Sequence, residues 1–361
     1  MADTTLTMRP QPREAIVRMA PYHPPTSGRH GKLRLDFNEN TVGCSPRVAA
    51  LLKRIAEPDF FAIYPEYTEA SPKIAEWLGL GPDQLLLTNG TDEAIQCLIN
   101  TYVDSGDEVL ITWPTYAMYQ FYAEIAGATP RRAPYLLPDL TFPLKELLDS
   151  ISERTSAILL ANPNNPTGSA IGITEIEQIL DRAGEAVVLI DEAYFEFYNV
   201  TALDLLETHP NLFVSRTFSK VYGMAGFRIG CLLSQAENVA AVAKGQSPYS
   251  VNSLAAACSL EAIDDQEYIN SYVTEALAAR QVLAAGLSDL GIKHFPSEAN
   301  FVLARFGDRS KAVCDRLSER GVLIRDRSHE IPGTARITAG RRDQAEKLLE
   351  ELKQILTDIT G

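Results

Sequence analysis

The stretch Arg216–Gly230, with the sequence RTFSKVYGMAGFRIG, places Lys220 among hydroxyl side chains and glycines. A free lysine has a pKa of about 10.4 and is a poor nucleophile at neutral pH, but burial and nearby cations lower that pKa. Thr217, Ser219 and Arg228 would bind a phosphate group, and the glycines would let the backbone approach it closely. The stretch therefore predicts a reactive lysine beside a phosphate, with a solvated lysine at a helix start as the alternative.

The composition indicates an acidic protein with a sizeable core. The chain has 361 residues, of which 45% are hydrophobic, and this length favours one large and one small domain. The formal net charge is 33 − 47 = −14, which argues against nucleic acid and anionic membranes as partners. No apolar run approaches the ~18 residues that span a bilayer.

The cysteines and histidines indicate neither a disulfide framework nor a metal site. Five cysteines are scattered along the chain, and none forms a C-x-x-C pair. This spacing favours reduced thiols in a cytoplasmic protein. Met1–Arg18 lacks the apolar segment of a signal peptide, and the five histidines lack metal-ligand spacing. We therefore predict a cytoplasmic protein without a metal.

Short apolar runs alternate with helical segments up to about residue 240. The predicted strands are Gln84–Thr88, Glu108–Thr112, Ser156–Ala161, Ala186–Ile190, Leu212–Ser215 and Ile229–Leu233. Uniformly apolar strands separated by helices predict a mostly parallel sheet covered on both faces. A helix is predicted at Thr174–Ala183, with Thr174 and Glu177 as its capping box.

The composition and the pattern of predicted elements change after Pro248, where alanine-rich helices and an α+β pattern begin. This change predicts a domain boundary between residues 240 and 255. We predict an N-terminal arm over residues 1–35 that joins the small domain, a large domain over residues 36–247 and a small C-terminal domain over residues 248–361.

Four motifs that follow predicted strands carry candidate chemistry: Asn89–Asp92, Asn162–Gly168, Asp191–Tyr194 and the lysine stretch. Ligands of open α/β sheets bind beyond the carboxyl ends of the strands, so these motifs can converge. The first motif offers the backbone amides of a helix start to an anion. Asp191 would be costly to bury unless it were paired, for example with a protonated pyridine nitrogen. Taken singly, each motif could also be a plain turn or a helix cap.

Together the motifs resemble those of the pyridoxal-phosphate aminotransferases of the aspartate-aminotransferase fold, class I and II, and more narrowly the histidinol-phosphate aminotransferase group. The matching stretches are Asp36–Asn40, Thr88–Glu93, Pro114–Tyr119, Asn162–Gly168, Asp191–Tyr194, Arg216–Gly230, Asn252–Ala255, Glu298–Phe301 and Arg336–Gly340. The resemblance implies the type I fold of pyridoxal-phosphate enzymes. This α/β fold has a mostly parallel seven-stranded sheet flanked by helices, and a smaller α+β domain. The resemblance also implies a homodimer with pyridoxal 5'-phosphate as its cofactor.

The resemblance assigns roles to the matching residues. Lys220 would form a Schiff base with the cofactor and move the proton of the substrate α-carbon, while Asp191 would pair with the pyridine nitrogen. Tyr194 and Asn165 would hydrogen-bond the ring hydroxyl oxygen, and Tyr116 would stack on the ring. The residues around the phosphate would be Gly90, Thr91, Asp92, Thr217, Ser219, Arg228 and the partner subunit's Tyr64.

The substrate side of the site is predicted around Arg336, which matches the arginine that binds the substrate carboxylate in the family. A planar guanidinium suits a carboxylate or a phosphate, so one arginine could serve histidinol phosphate as amino donor and also the 2-oxo acid acceptor. Tyr22, Asn38 and Arg325 are further candidates, although a surface salt bridge is an equal interpretation of Arg325.

Three alternatives remain open at this stage. An aromatic aminotransferase would keep the reaction and change the substrate. A threonine-phosphate decarboxylase would carry similar motifs and release CO₂. A non-catalytic cofactor-binding protein is disfavoured, because every residue that the chemistry needs is present.

Overall fold

The structure, a computed structural model, describes residues 10–21 and 27–360. Its β-strands are β1 (Leu33–Leu35), β2 (Leu85–Thr88), β3 (Glu108–Trp113), β4 (Thr129–Pro134), β5 (Thr155–Ala161), β6 (Val187–Asp191), β7 (Leu212–Thr217), β8 (Gly230–Leu233), β9 (Lys293–His294), β10 (Phe301–Arg305), β11 (Val322–Asp326) and β12 (Thr334–Thr338). Its α-helices are α1 (Glu14–Arg18), α2 (Pro46–Ile55), α3 (Pro58–Ala62), α4 (Ala70–Trp77), α5 (Thr91–Tyr102), α6 (Ala117–Ala126), α7 (Leu144–Asp149), α8 (Ile173–Ala183), α9 (Phe195–Tyr198), α10 (Ala236–Ala243), α11 (Ser253–Asp264), α12 (Gln266–Asp289), α13 (Ser310–Glu319) and α14 (Arg342–Thr360).

Seven strands form one sheet in the order β2-β8-β7-β6-β5-β3-β4. Neighbouring strands from β7 through β4 are parallel, whereas β8 is antiparallel to both β2 and β7. The carboxyl ends of β3, β5, β6 and β7 therefore meet at one edge. Thr217, the last residue of β7, pairs with Gly230, so the loop that contains Lys220 also lies at this edge. The predicted α/β fold with a mostly parallel seven-stranded sheet is confirmed.

Both faces of this sheet are covered, and the central strands show why. Successive side chains of a strand point to opposite faces, so a strand buried on both sides must be apolar throughout. In β6, Val188 and Ile190 join one hydrophobic cluster, and Val187 and Leu189 join the cluster on the other face. Only the terminal residue Asp191 interrupts this pattern, and its carboxyl group is the part of β6 that burial penalises most.

Five strands form a second sheet in the order β1-β11-β12-β10-β9. The strand β1 lies parallel to β11, so the segment that follows the N-terminal region becomes the edge of a sheet built from the end of the chain. The helices α12 and α14 pack on this sheet around a separate core that includes Leu283, Val302, Ile337 and Leu348. This pairing carries the segment Asp36–Asn40 directly from β1 toward the edge of the larger sheet.

The structure corrects one predicted cap and adds strands that the sequence did not indicate. The capping box at Thr174 and Glu177 is wrong, because α8 begins one residue earlier and the backbone N–H of Gly172 donates to Glu175 Oε2 (3.1 Å). The strand β4 was missed because its sequence, TPRRAP, contains two prolines. Its edge position explains this composition, since an edge strand can dispense with some ladder donors.

A buried group of charges lies immediately beyond β6. Arg216 Nη2 pairs with Glu192 Oε2 at 2.6 Å, and both side chains are almost fully buried. Glu196 lies nearby on α9, and burial raises its pKa from 4.5 to about 7, although Arg216 acts in the opposite direction. The guanidinium of Arg216 thus interacts with the carboxyl groups of both Glu192 and Glu196, and ionising Glu196 costs free energy.

The Glu196→Gln substitution should therefore remove a pH dependence of stability. The unfolded chain loses the Glu196 proton near pH 4.5, whereas the folded chain retains it to about pH 7. Rising pH across this interval consequently disfavours the folded state, by at most about 3 kcal/mol. We expect the melting temperature of Glu196→Gln to match that of the wild type at pH 4 and to exceed it at pH 8. The control is Glu185→Gln, because Glu185 is exposed and its replacement should not change the pH dependence of the melting temperature. If the melting temperatures of Glu196→Gln and the wild type differed by the same amount at every pH, the assignment would be contradicted.

Candidate active site

A cavity of about 250 Å³ opens at the carboxyl edge of the seven-stranded sheet, where this edge faces the five-stranded sheet. The sequence-predicted residues that line it are Thr91, Asp92, Tyr116, Asn165, Asp191, Tyr194, Thr217, Ser219, Lys220, Arg228, Arg325 and Arg336. The wall also contains Phe37, Glu39 and Arg327, which the sequence analysis did not single out as site residues. The motifs that were separated by tens of residues are therefore brought to one place.

Lys220 lies in the loop between β7 and β8, and this loop is held against the segment that follows β1. Lys220 Nζ donates to the carbonyl oxygen of Phe37 (3.2 Å). Asn40 Nδ2 donates to the carbonyl of the residue after Lys220 (2.8 Å). Gly223 has a φ of +67°, and a Cβ at this position would clash with the backbone of Gly43. The amine is thus fixed at the cavity by packing of backbone on backbone, which only glycine permits here.

Asp191 is 3% exposed at the end of β6. Its Oδ2 accepts a hydrogen bond from the Tyr119 hydroxyl (2.8 Å). Its Oδ1 is buried and has no partner in hydrogen-bonding geometry among the described residues. Burial raises the pKa of Asp191, although the Tyr119 O–H acts in the opposite direction. A ring N–H⁺ in the cavity would satisfy the unpaired oxygen, so the site fits the pyridine nitrogen of the expected cofactor.

Tyr119 is a residue that sequence reasoning missed as a site residue, although it lies in the quoted motif Pro114–Tyr119. It is fully buried, and burial together with Asp191 raises the pKa of its hydroxyl well above 10. The hydroxyl therefore stays protonated and donates to Asp191. The available signal was its position three residues after Tyr116, and in the structure the two ring centres lie 5.7 Å apart at the start of α6.

Tyr194 lies beneath the cavity and is connected to the second sheet through Asn38. Asn38 Nδ2 donates to the Tyr194 hydroxyl (2.8 Å), and Asn38 Oδ1 accepts from the Thr338 hydroxyl (3.1 Å). Because Asn38 donates this bond, the Tyr194 hydroxyl keeps its own hydrogen for a ligand. The structure places Asn38 in the fully buried layer behind Tyr194, and not in the cavity wall where a substrate contact was predicted.

One end of the cavity has the features of a phosphate cup. The helix α5 begins at Thr91, and the backbone amides of a helix start attract anions. Gly90 precedes it with a φ of +73°, and a Cβ there would lie 2.5 Å from Arg228 Nη2. Arg228 Nη1 lies 3.5 Å from Ser219 Oγ, so a guanidinium and a hydroxyl border the helix start. The positive φ of Gly90 favours glycine at this position, and a Cβ here would also displace the guanidinium of Arg228.

Asp92 orients two of the groups around this cup. Its Oδ2 accepts from Arg228 Nη2 (3.2 Å), and its Oδ1 accepts from the Tyr116 hydroxyl (2.7 Å). Thr217 Oγ1 accepts from the backbone N–H of Ser219 (3.1 Å), which fixes the turn that leads to the lysine. Burial, and then Asp92, raise the pKa of Tyr116 well above 10. The tyrosine therefore remains a neutral ring at the cavity.

Arginines from the second sheet form the other end of the cavity. Arg325 on β11 lies directly opposite Arg336 on β12. Arg336 is 4% exposed and donates to Asn165 Oδ1 and to the carbonyl oxygen of Asp36 (2.6 Å). Burial lowers the pKa of Arg336 to about 10. The guanidinium of Arg325 lies 5.6 Å from the ring centre of Phe37. This end of the cavity is suited to an anion.

Two predicted residues are not brought to this cavity. Tyr64 is 73% exposed and stacks on Tyr249, with 4.6 Å between the ring centres, away from the cavity of its own chain. Tyr22 lies outside the described residues. Within residues 10–21 and 27–360, no group of His, Cys, Asp and Glu is placed to hold a metal ion. In the same part of the chain, no helix combines the length and apolarity needed to cross a membrane.

Comparison with known proteins identifies related sequences along almost the whole chain. The sequence model of the family described as aminotransferase class I and II matches residues 30–352. The histidinol-phosphate aminotransferase of Symbiobacterium thermophilum is 36% identical, over 95% of this chain and 98% of that protein. The histidinol-phosphate aminotransferase of Caldanaerobacter subterraneus subsp. tengcongensis is also 36% identical, over 90% of this chain and 93% of that protein.

Solved structures share the fold. The histidinol-phosphate aminotransferase of Sinorhizobium meliloti in complex with pyridoxal-5'-phosphate superposes with a TM-score of 0.87 at 24% identity, covering 98% of this chain and 100% of that one. An aspartate aminotransferase mutant from Thermus thermophilus gives a TM-score of 0.80 at 23% identity, covering 96% and 100% of the two chains. The family match over residues 30–352 and the full-length relatives place the chain in aminotransferase class I and II, the pyridoxal-phosphate-dependent family to which it belongs.

Proposed function

We propose that this chain is a histidinol-phosphate aminotransferase, which acts in histidine biosynthesis. The reaction is L-histidinol phosphate + 2-oxoglutarate ⇌ imidazole-acetol phosphate + L-glutamate. The observation that carries the substrate assignment is the pair of arginines, Arg325 and Arg336, at the end of the cavity. Histidinol phosphate has no carboxylate, so its phosphate ester must occupy the place that a carboxylate takes in other amino donors. The relatives named for this reaction support the same choice.

The cofactor residues of the proposal are those that surround the cavity. Pyridoxal phosphate, when bound, supplies an aldehyde for amino groups and a ring that accepts electrons from the substrate carbanion. Lys220 is the residue that would hold the aldehyde, and its amine would move the proton at the substrate α-carbon. The Asp191 carboxylate would hold a proton on the ring nitrogen, and this pairing with a cation would offset the cost of its burial.

The remaining residues orient the ring and hold its phosphate. Tyr194 would donate its hydroxyl hydrogen and Asn165 its amide to the ring oxygen, while Tyr116 would provide an apolar face for the ring. The proposed phosphate contacts are Gly90, Thr91, Asp92, Thr217, Ser219 and Arg228. Asn38 acts as a positioning residue, because it donates to the Tyr194 hydroxyl without lining the cavity.

One anion site can serve both half-reactions. Glutamate presents a carboxylate to Arg336 where histidinol phosphate presents its phosphate ester, and a guanidinium binds either through parallel N–H···O bonds. Asn165 fixes the orientation of Arg336 by accepting one of its N–H groups. An arginine that is already held loses little rotamer freedom when it binds a ligand.

The proposal includes a homodimer in which Tyr64 reaches the phosphate of the neighbouring site. Phe61, Ile63, Tyr64 and Tyr249 are each more than half exposed, and clustered apolar side chains of this size mark an interface. Tyr64 also lies outside the cavity of its own chain. A cytoplasmic location is part of the proposal and is consistent with five free cysteines. The division into residues 1–35, 36–247 and 248–361 stays a prediction.

A substrate comparison tests the proposed reaction. We expect kcat/KM of the holoenzyme for histidinol phosphate to exceed that for phenylalanine or tyrosine by at least about 10²-fold, because only the phosphate ester matches the arginine-lined end of the cavity. Measuring 2-oxoglutarate consumption with each amino donor gives the ratio. A higher value for the aromatic amino acids would assign the chain to the aromatic aminotransferases. Release of CO₂ from threonine phosphate would assign it to the decarboxylases.

Complementation between Lys220→Ala and Tyr64→Ala, assayed at a pyridoxal phosphate concentration where Tyr64→Ala has little activity, tests the shared site. We expect Lys220→Ala to abolish transamination, and Tyr64→Ala to weaken it at low pyridoxal phosphate. In mixed dimers, one of the two sites then combines an intact Lys220 with the partner subunit's Tyr64. After unfolding and refolding of an equal mixture, the activity should return to about a quarter of the wild-type value under random pairing. A mixture that is no more active than the average of its two components would rule out the exchange of Tyr64 between subunits.

A further inference from the structure

Beyond the arginine pair, a third guanidinium faces the same cavity. Arg327 follows Arg325 by two residues at the end of β11, and it lines the cavity while only 9% exposed. We propose that Arg327, held in place by Glu330, is a substrate-binding residue that makes the site prefer a doubly charged phosphate ester to a carboxylate. This inference rests on the proposed function and deepens it, because it names the group that distinguishes the two kinds of substrate.

The local structure holds Arg327 firmly. Its Nη2 forms an ion pair with Glu330 Oε2. Its backbone N–H donates to the Thr334 carbonyl (2.9 Å), and its own carbonyl accepts from the backbone N–H groups of Glu330 (3.0 Å) and Ile331 (2.9 Å). A long side chain that is fixed by its own turn gives up little entropy when it binds an anion. The guanidinium is therefore preorganised at the cavity.

The guanidinium nevertheless has unused binding capacity. The Nε of Arg327 and the Nε of Arg336 are buried, and neither has a hydrogen-bond partner among the described residues. A buried donor without an acceptor costs free energy. Acceptor oxygens of a bound ligand would remove this cost, and a phosphate group has three terminal oxygens available for the purpose.

Positively charged side chains predominate on the cavity wall at this end, which favours a ligand with several anionic oxygens. Arg325, Arg327 and Arg336 carry three positive charges on the cavity wall. Glu330 pairs with Arg327 without lining the cavity, and Glu39 on the wall already accepts two hydrogen bonds from Arg29 (3.1 and 2.8 Å). A phosphate ester, with a charge of about −2 near pH 7 and three terminal oxygens, can accept from Arg327 and Arg336 at once, whereas the two oxygens of a carboxylate are both used by the parallel N–H groups of one guanidinium.

Kinetics with two substrates test the assignment. In Arg327→Gln we expect KM for histidinol phosphate to rise at least about tenfold more than KM for glutamate. The reason is that the variant loses the charge-assisted hydrogen bond from the Arg327 guanidinium to a phosphate oxygen. The double variant Arg327→Gln/Glu330→Gln should show the same ratio, and it avoids leaving a buried carboxylate without a partner. The matched control is Arg305→Gln, because Arg305 also has a buried, unpartnered Nε but does not line the cavity. An equal rise of both KM values in the two Arg327 variants would overturn the proposal.

Inorganic phosphate separates a failure of this inference from a failure of the proposed function. In the holoenzyme the cofactor fills its own phosphate cup, so added phosphate and acetate can be compared as competitive inhibitors against glutamate. We expect Arg327→Gln to weaken inhibition by phosphate at least about tenfold more than inhibition by acetate. If histidinol phosphate is not a substrate but this difference is found, the proposed function fails and the dianion site stands. If the two inhibitors weaken equally, Arg327 does not select a dianion, whatever the substrate is.

Discussion

The carboxyl group of Asp191 sits at the end of the fully apolar strand β6, where one of its oxygens accepts from Tyr119 and the other has no partner in hydrogen-bonding geometry among the described residues. Burying an anion without a cation is costly, and the hydrogen bond from Tyr119 offsets only part of that cost, since burial still raises the pKa of Asp191. A ligand that carries a cation and an N–H group would supply the missing partner of Oδ1. A protonated ring nitrogen would supply both a positive charge and an N–H donor. The buried carboxyl group of Asp191 therefore fits the ring of the cofactor.

The segment Asp36–Asn40 connects the chemistry to both sheets. The carbonyl oxygen of Asp36 accepts from Arg336, and the carbonyl oxygen of Phe37 accepts from Lys220. The side chain of Asn38 donates to Tyr194, while Asn40 donates to the backbone of the lysine loop. Because β1 anchors this segment to the second sheet, a movement of that sheet would change the positions of Lys220, Tyr194 and Arg336 together. This gives a structural reason why so short a stretch matches the family motif.

Much of the fold and part of the site could be predicted from the sequence, because both depend on local patterns. Apolar runs indicated the central strands, and motifs at strand ends indicated where the cavity would form. β1 and β4 escaped this reasoning, since an edge strand is defined by its neighbour and not by its own composition. Tyr119 was missed because its role depends on a contact between distant parts of the chain, the hydrogen bond from its hydroxyl to the buried carboxyl group of Asp191. Arg327 was missed because its proposed role depends on its lying beside Arg325 and Arg336 in the folded chain, and arginines are more often exposed to solvent.

The most direct test replaces the Asp191 carboxylate by an amide in the holoenzyme. Asp191→Asn keeps the size of the side chain and its hydrogen bond to Tyr119, but it removes the negative charge that would hold a proton on the ring. We expect the rate of transamination to fall by at least about 10²-fold. We also expect an altered absorbance of the bound cofactor and a melting temperature of the apoenzyme that does not fall, since a neutral amide is cheaper to bury. A variant that transaminates at the wild-type rate, with an unchanged cofactor spectrum, would contradict the account.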